Sequence, residues 1–168
     1  MTRDFNYEHK LYEIEDSPEL NGYILMNLLY NLKACSVEQL AIAFYLYRFP
    51  KVSIQILGRS DSQIENLYLF NEYEMFNLDI LLMPLLSEKY NVRFKNGFKH
   101  LLSYSLLNIK QDLITLNTNY LEQITHQLEN SNSIMTSKVK VATIIIQAYN
   151  INELNYMINK IAGEINNG

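Results

Sequence analysis

The residue types that usually carry catalysis are present in this sequence, but they are scattered along it. Its five glycines do not fall at the spacing of a Walker A loop or of a dinucleotide-binding fingerprint. The three histidines, His9, His100 and His126, form no His-x-x-x-His pair, and Cys35 is the one cysteine, so a zinc site is not expected. We therefore predict no cofactor, no metal and no catalytic residue, and we expect that this chain is not an enzyme.

The charged residues are distributed unevenly, and this asymmetry is the main hint of a binding site. The chain has a formal net charge of -4, yet the segment from Lys89 to Lys110 carries basic charges only. Such a segment can mark a face for an anionic partner, although a solvated helix face that is basic by chance explains it equally well. If it meets phosphates, its lysines should share one exposed face, and binding to duplex DNA should weaken steeply with salt. The candidate DNA-binding residues are Arg93, Lys95, Lys99 and Lys110.

The basic segment overlaps a stretch from Phe94 to Leu128 whose pattern predicts helix, hairpin and helix. The first part has an apolar face at helical spacing, which comprises Phe94, Phe98, Leu101, Leu102, Ser105 and Leu106. The spacing then changes to two around the turn at 110–112, which predicts two short strands, with Leu107 and Ile109 on one and Ile114 and Leu116 on the other. Asn119 with Glu122 predicts the start of a further helix. A helix that leads directly into a hairpin is typical of the second half of a winged helix-turn-helix.

Capping signals predict the remaining helices. Ser17 followed by Pro18 indicates a core helix that runs to about Lys33, and Ser36 with Gln39 opens a second helix that must end before Pro50. Residues 51–57 fit either a strand or a helix that begins at the proline. Helices are further predicted over 63–76, 77–90 with a break at Pro84, 134–148, and from a capping box at 150–153 onwards.

These elements together predict one domain over residues 1–168 that is mainly α with a small β-hairpin. Within it we expect an N-terminal arm over 1–16, a helical core over 17–128 that contains a winged-helix element at 94–128, and additional C-terminal helices over 129–168. No apolar run approaches the about 20 residues of a membrane span, so no membrane partner is expected. The single cysteine suits a cytoplasmic protein.

The C-terminal helix carries a continuous apolar stripe, which suggests a second candidate binding surface. We predict that this stripe serves association with a partner, although packing against the protein's own core is the commoner role of an amphipathic helix. The candidate partner-binding residues are Leu154, Met157, Ile158, Ile161 and Ile165.

The order and spacing of the apolar segments resemble a known group of proteins. The segments that carry the resemblance are the two helices between Leu20 and Phe49, the Phe49-Pro50 break, the helix containing Pro84, and the stretch FKNGFKHLLSYSLLNIKQDLITLN. Over about residues 18–165 they are similar to the middle component of ABC three-component systems, a group that includes the accessory subunit of Lamassu-type defence systems.

The resemblance implies a function in prokaryotic anti-phage or anti-plasmid defence. It implies a non-catalytic winged-helix subunit that docks on an SMC/Rad50-like ATPase and couples it to an effector subunit, with double-stranded DNA as a further candidate partner. The alternative is a winged-helix transcription regulator, in which the helix at 94–106 would enter the major groove of DNA.

Overall fold

The computed structural model describes residues 14–58, 91–130 and 133–166. Residues 165 and 166 are described through their backbone alone. The described chain is mainly helical with one small antiparallel sheet. Its elements in order are α1 (Pro18–Leu32), β1 (Ala34–Ser36), α2 (Val37–Arg48), α3 (Pro50–Leu57), α4 (Val92–Ser103), β2 (Leu107–Lys110), β3 (Leu113–Leu116), α5 (Thr118–Glu129), α6 (Ser133–Ala148) and α7 (Ile151–Asn166). The helices predicted over 63–76 and 77–90 lie outside the described residues.

Helix α1 begins where its capping residues predicted. The Leu20 backbone N–H donates to Ser17 Oγ at 3.2 Å, and Pro18 occupies the first helical position. The N-terminal arm that was expected over 1–16 lies outside the described residues as far as residue 13. Its last part is not an irregular arm, because Ile14 and Glu15 are helical. Helix α1 is a central core helix, as predicted. Its buried apolar side chains are Ile24, Leu25, Leu28, Leu29 and Leu32.

Both sides of the predicted capping box are present at the start of α2. The Gln39 N–H donates to Ser36 Oγ at 3.1 Å, and the Ser36 N–H donates to Gln39 Oε1 at 2.9 Å. The helix ends at Arg48, before Pro50, because proline has no N–H to continue it. Residues 51–57 were predicted to form either a strand or a helix, and the structure has a helix there. Helix α3 begins at Pro50, and Ser53 Oγ donates back to the Leu46 carbonyl at 2.9 Å.

The predicted hairpin is confirmed, and it forms part of a three-stranded sheet. The strand order is β1-β3-β2, with both pairs antiparallel. Ile114 lies at the centre of the sheet, opposite Cys35 on one side and Ile109 on the other. Alternate side chains of β3 face the core, so that Ile114 and Leu116 are buried, together with Cys35 of β1.

The end of α4 and the start of α5 differ from the predicted boundaries. Helix α4 stops at Ser103, where the Leu106 N–H donates to the Leu101 carbonyl and the Ser105 N–H donates to the Leu102 carbonyl, both at 3.0 Å. These two bonds form a Schellman motif, with Ser105 at a left-handed φ of 56°. The prediction that Ser105 and Leu106 continue the apolar face of the helix was therefore wrong.

The predicted helix start at Asn119 and Glu122 was wrong by two residues. The N-cap of α5 is Asn117, whose side chain accepts a hydrogen bond from the Asn119 N–H at 3.1 Å. The Asn117 side-chain amide also donates to the Ser105 carbonyl at 2.9 Å, and its backbone N–H donates to the Leu106 carbonyl at 2.8 Å. Asn117 thus caps α5 and ties the end of the hairpin to the turn after α4, two roles that Asn119 could not combine.

Helices α1 and α4 approach each other closely at two glycines. A Cβ atom on Gly97 would lie 2.7 Å from the backbone carbonyl carbon of Asn21 and 2.9 Å from the Gly22 nitrogen. A Cβ atom on Gly22 would lie 3.1 Å from His100 Cδ2. No side chain fits between the two backbones at Gly97, so glycine is required there for the observed packing.

The C-terminal helices complete the core, and both were predicted. Helix α6 packs against α1, α2 and α3, and α7 packs against α3. At the start of α7 the Glu153 N–H donates to Asn150 Oδ1 and the Asn150 N–H donates to Glu153 Oε2, both at 3.0 Å, which confirms the capping box.

We predict that Gly97→Ala lowers the free energy of unfolding by about 1–3 kcal/mol, because its methyl group would push the α1 backbone away. The matched control is Gly163→Ala in α7, where an added Cβ meets nothing within 4 Å. This control should raise the free energy of unfolding by about 0.5–1 kcal/mol, as expected for alanine in a helix. Urea denaturation of both variants measures the difference, and equal effects would contradict the close approach.

We predict that Ser105→Gly raises the free energy of unfolding by about 0.5 kcal/mol, because glycine adopts the left-handed conformation without the strain of a Cβ. Ser105→Ala is the control, since it keeps the Cβ and should change stability by less than about 0.5 kcal/mol. Thermal unfolding of the two variants compares them directly. A stabilising alanine and a destabilising glycine would show that residue 105 is helical after all.

Candidate interaction surfaces

Helix α4 has two distinct faces, and the inner one fixes it on the core. Phe94 and Leu101 are buried, and the Phe94 ring lies 6.0 Å from Phe44 in an edge-on arrangement and 5.7 Å from the stacked ring of Phe98. Gly97 lies between them at the contact with α1. At the amino end, Asn91 caps the helix by accepting from the Phe94 N–H at 2.8 Å. The helix is thereby held along its whole length.

The outer face of α4 carries lysines that point to solvent. Lys95 and Lys99 are both exposed and lie one turn apart on the same face. Lys110 is exposed at the end of β2, next to the two-residue turn that contains Asp112. None of the three lysines has an ion pair within the described parts of the chain. The charge of these lysines is therefore available to a binding partner.

Arg93, which was predicted with these lysines as a DNA-binding residue, does not share their open position. Its guanidinium group forms ion pairs with Glu15 at 3.1 Å and with Asp16 at 2.5 Å, and its side chain is only 13% exposed. Two carboxylates already neutralise this arginine, so a phosphate would have to displace both of them. Arg93 instead ties the residues that precede α1 to the start of α4.

Several large apolar side chains are exposed beside the lysines. Leu102 is one of them, although its spacing had placed it on the buried face of the helix. It lies instead on the line of Val92, Lys95 and Lys99, at intervals of three and four residues, and this second stripe is the signal in the sequence that was missed. The exposed residues of α4, of the turn after it and of the hairpin form what we call the α4–hairpin surface. Its members are Val92, Lys95, Lys99, Leu102, Tyr104, Lys110 and Leu113. Ile109 is also exposed, but it lies on the same side of the hairpin as its partner Ile114.

Most of the C-terminal stripe is not a free surface, so the predicted partner would find no open face at Leu154, Ile158 and Ile161. Leu154 is 1% exposed, Ile158 3% and Ile161 0%, and all three belong to the main hydrophobic core. Met157 is partly buried against the same core, while the Ile165 side chain lies outside the described residues. Leu154, Ile158 and Ile161 are thus covered by the protein itself, and α7 packs on α3.

Among the described residues we find no group of three or more His, Cys, Asp or Glu side chains that could hold a metal ion. Cys35 is buried in β1, and this burial raises the pKa of its thiol to about 12. A thiol with such a pKa is protonated near neutral pH and is a poor nucleophile. In the same described ranges, no helix has the length and apolar character needed to cross a membrane.

Comparison with known proteins gives no match for this chain, whether against protein-family models, curated proteins or solved structures.

We predict that Ile158→Glu lowers the free energy of unfolding by at least about 3 kcal/mol, because it places an unpaired charge in the core. The matched control is Tyr156→Glu on the same helix, where the side chain is 69% exposed. This control should change stability by less than about 0.5 kcal/mol. Circular dichroism with urea titration measures both, and a folded Ile158→Glu protein of normal stability would restore the stripe as a free surface.

Proposed function

We propose that this chain is a non-catalytic accessory subunit with a winged-helix-like core, and that it docks on an SMC/Rad50-like ATPase in a prokaryotic defence complex. The observation that supports this most is the α4–hairpin surface. It combines an exposed, unneutralised basic charge with exposed apolar side chains on a helix that is fixed to the core. Such a surface is suited to binding a macromolecule. The ATPase itself enters this proposal through the resemblance of the apolar segments.

The arrangement of the elements supports the winged-helix-like part of the proposal. Helix α4 leads through a three-residue connection at 104–106 into the hairpin, whose second strand lies in the middle of the sheet between β1 and β2. In this interpretation α4 occupies the place of the recognition helix, and the β2–β3 hairpin is the wing. The Schellman motif and the two bonds from Asn117 fix the wing relative to the helix.

A transcription regulator is the second candidate, and the exposed lysines favour it. Lysine contacts with phosphates supply sequence-independent affinity for DNA, whereas sequence is read mainly by Arg, Lys, Asn and Gln at base edges. Apart from Lys95 and Lys99, the outer face of α4 offers few such side chains, since Arg93 is paired with carboxylates and Asn96 is half-buried. The accessory subunit is therefore our first choice.

We predict that the full chain forms a stable complex with an SMC-like ATPase encoded beside its gene. Co-expression of the two proteins, purification through a tag on the ATPase and size-exclusion chromatography should give one peak that contains both. A regulator would instead elute alone as a homodimer and bind one duplex sequence far more tightly than others. Elution as a separate homodimer with sequence-specific DNA binding would overturn the accessory-subunit proposal.

A further inference from the structure

Half of the large apolar side chains that are exposed among the described residues belong to the α4–hairpin surface. The described residues include eight such side chains, and four of them, Val92, Leu102, Tyr104 and Leu113, belong to this surface. Single exposed apolar residues are normal on any protein, but a group of them marks an interaction site. Val92 and Leu102 lie on the outer face of α4, and Leu113 lies with Lys110 on the side of the hairpin that faces away from the buried Ile114. The exposed apolar side chains of these two elements, which follow each other directly in the chain, are the candidate contacts for a partner.

The lysines on this surface specify the charge of its partner. Lys95 and Lys99 lie between Val92 and Leu102 along α4, and Lys110 lies directly across the hairpin from Leu113. When a partner covers the apolar side chains, these lysines lose part of their hydration, so the partner must supply anionic groups to compensate. Asp112 in the turn is the one carboxylate within the hairpin. The surface thus requires a partner that is both apolar and acidic.

Between the two classes of anionic partner, the apolar side chains favour protein over DNA. Interfaces with DNA are more polar and much more positive than interfaces with protein. Three lysines beside four exposed apolar side chains, on a chain of net charge -4, fit this description poorly. A protein interface, by contrast, is about as apolar as the rest of a protein surface and combines apolar with polar and charged contacts.

We propose that the α4–hairpin surface is the docking site for the ATPase, and that it binds a segment of the ATPase in which apolar side chains are flanked by carboxylates. This inference rests on the proposed function, because it names the surface through which the subunit docks. It also replaces the C-terminal stripe, most of which the core covers, as the place where the partner binds.

The test compares two kinds of variant in the complex of the full chain with the ATPase. Leu102→Ser with Leu113→Ser removes apolar contacts, and Lys95→Glu with Lys99→Glu reverses the charge. Each pair should weaken binding by at least about tenfold. The wild-type complex should weaken with rising salt, and the charge-reversed variant should lose most of that dependence.

Matched controls use exposed residues of the same types elsewhere. Lys140→Glu with Lys160→Glu reverses two exposed lysines on α6 and α7, and Tyr156→Ser removes an exposed apolar side chain. These controls should change the dissociation constant by less than about threefold. Circular dichroism of every variant verifies the fold, and the charge-reversed pair tests the surface even if the apolar pair fails to fold.

The outcomes separate the inference from the proposed function. If the wild-type chain does not bind the ATPase, the proposed function fails, and the docking site fails with it. If the wild type binds and the surface variants bind equally well, only the docking site is wrong. A fluorescently labelled duplex DNA provides the third arm. The inference is overturned in favour of DNA if the chain binds duplex with a log–log salt slope near about -2.7, and if that binding is lost in the lysine pair but kept in the leucine pair.

Discussion

The close approach of α1 and α4 at Gly22 and Gly97 determines what this protein presents to solvent. Because Gly97 has no side chain, the α4 backbone rests directly on α1, and Phe94 and Leu101 on either side of it are buried. This contact defines the inner face of α4 and therefore also its outer face. A rotation of α4 about its axis would bury lysine side chains and expose phenylalanine, at a cost in both hydrophobic burial and desolvation. One steric constraint thus fixes the orientation of the α4 part of the candidate surface.

Local interactions explain which parts of the fold could be predicted from the sequence. Ser17, Ser36 and Asn150 begin helices through hydrogen bonds to residues three positions away, so the signal lies within one short segment. The hairpin also follows from a local change of period. Asn117 was missed because its role depends on Ser105 and Leu106, which reach it only after the hairpin has formed. The left-handed Ser105 was missed because the usual signal at that position is glycine.

The candidate site could be predicted in part, since its charges are local but its neighbours are not. The exposure of Lys95, Lys99 and Lys110 follows from their type and spacing. The pairing of Arg93 with Asp16 joins residues 77 positions apart, and no local pattern indicates it. In the same way, the sequence pattern of the α7 stripe is the same whether the protein's own core or a partner covers it. The packing of α7 on α3 decides between them.

The two amphipathic helices together show why burial, rather than the apolar pattern alone, locates an interaction surface. Helix α7 has the more regular apolar stripe, and most of that stripe is buried in the core. Helix α4 has an outer face of mixed polarity, which the described core does not cover. An apolar side chain that stays exposed beside a rigid backbone has a lower entropic cost of binding than one on a mobile segment, since the backbone is already ordered. The capped ends of α4 and its glycine contact supply that order. The surface that a partner can use most favourably is therefore the one that the internal packing has positioned but not covered.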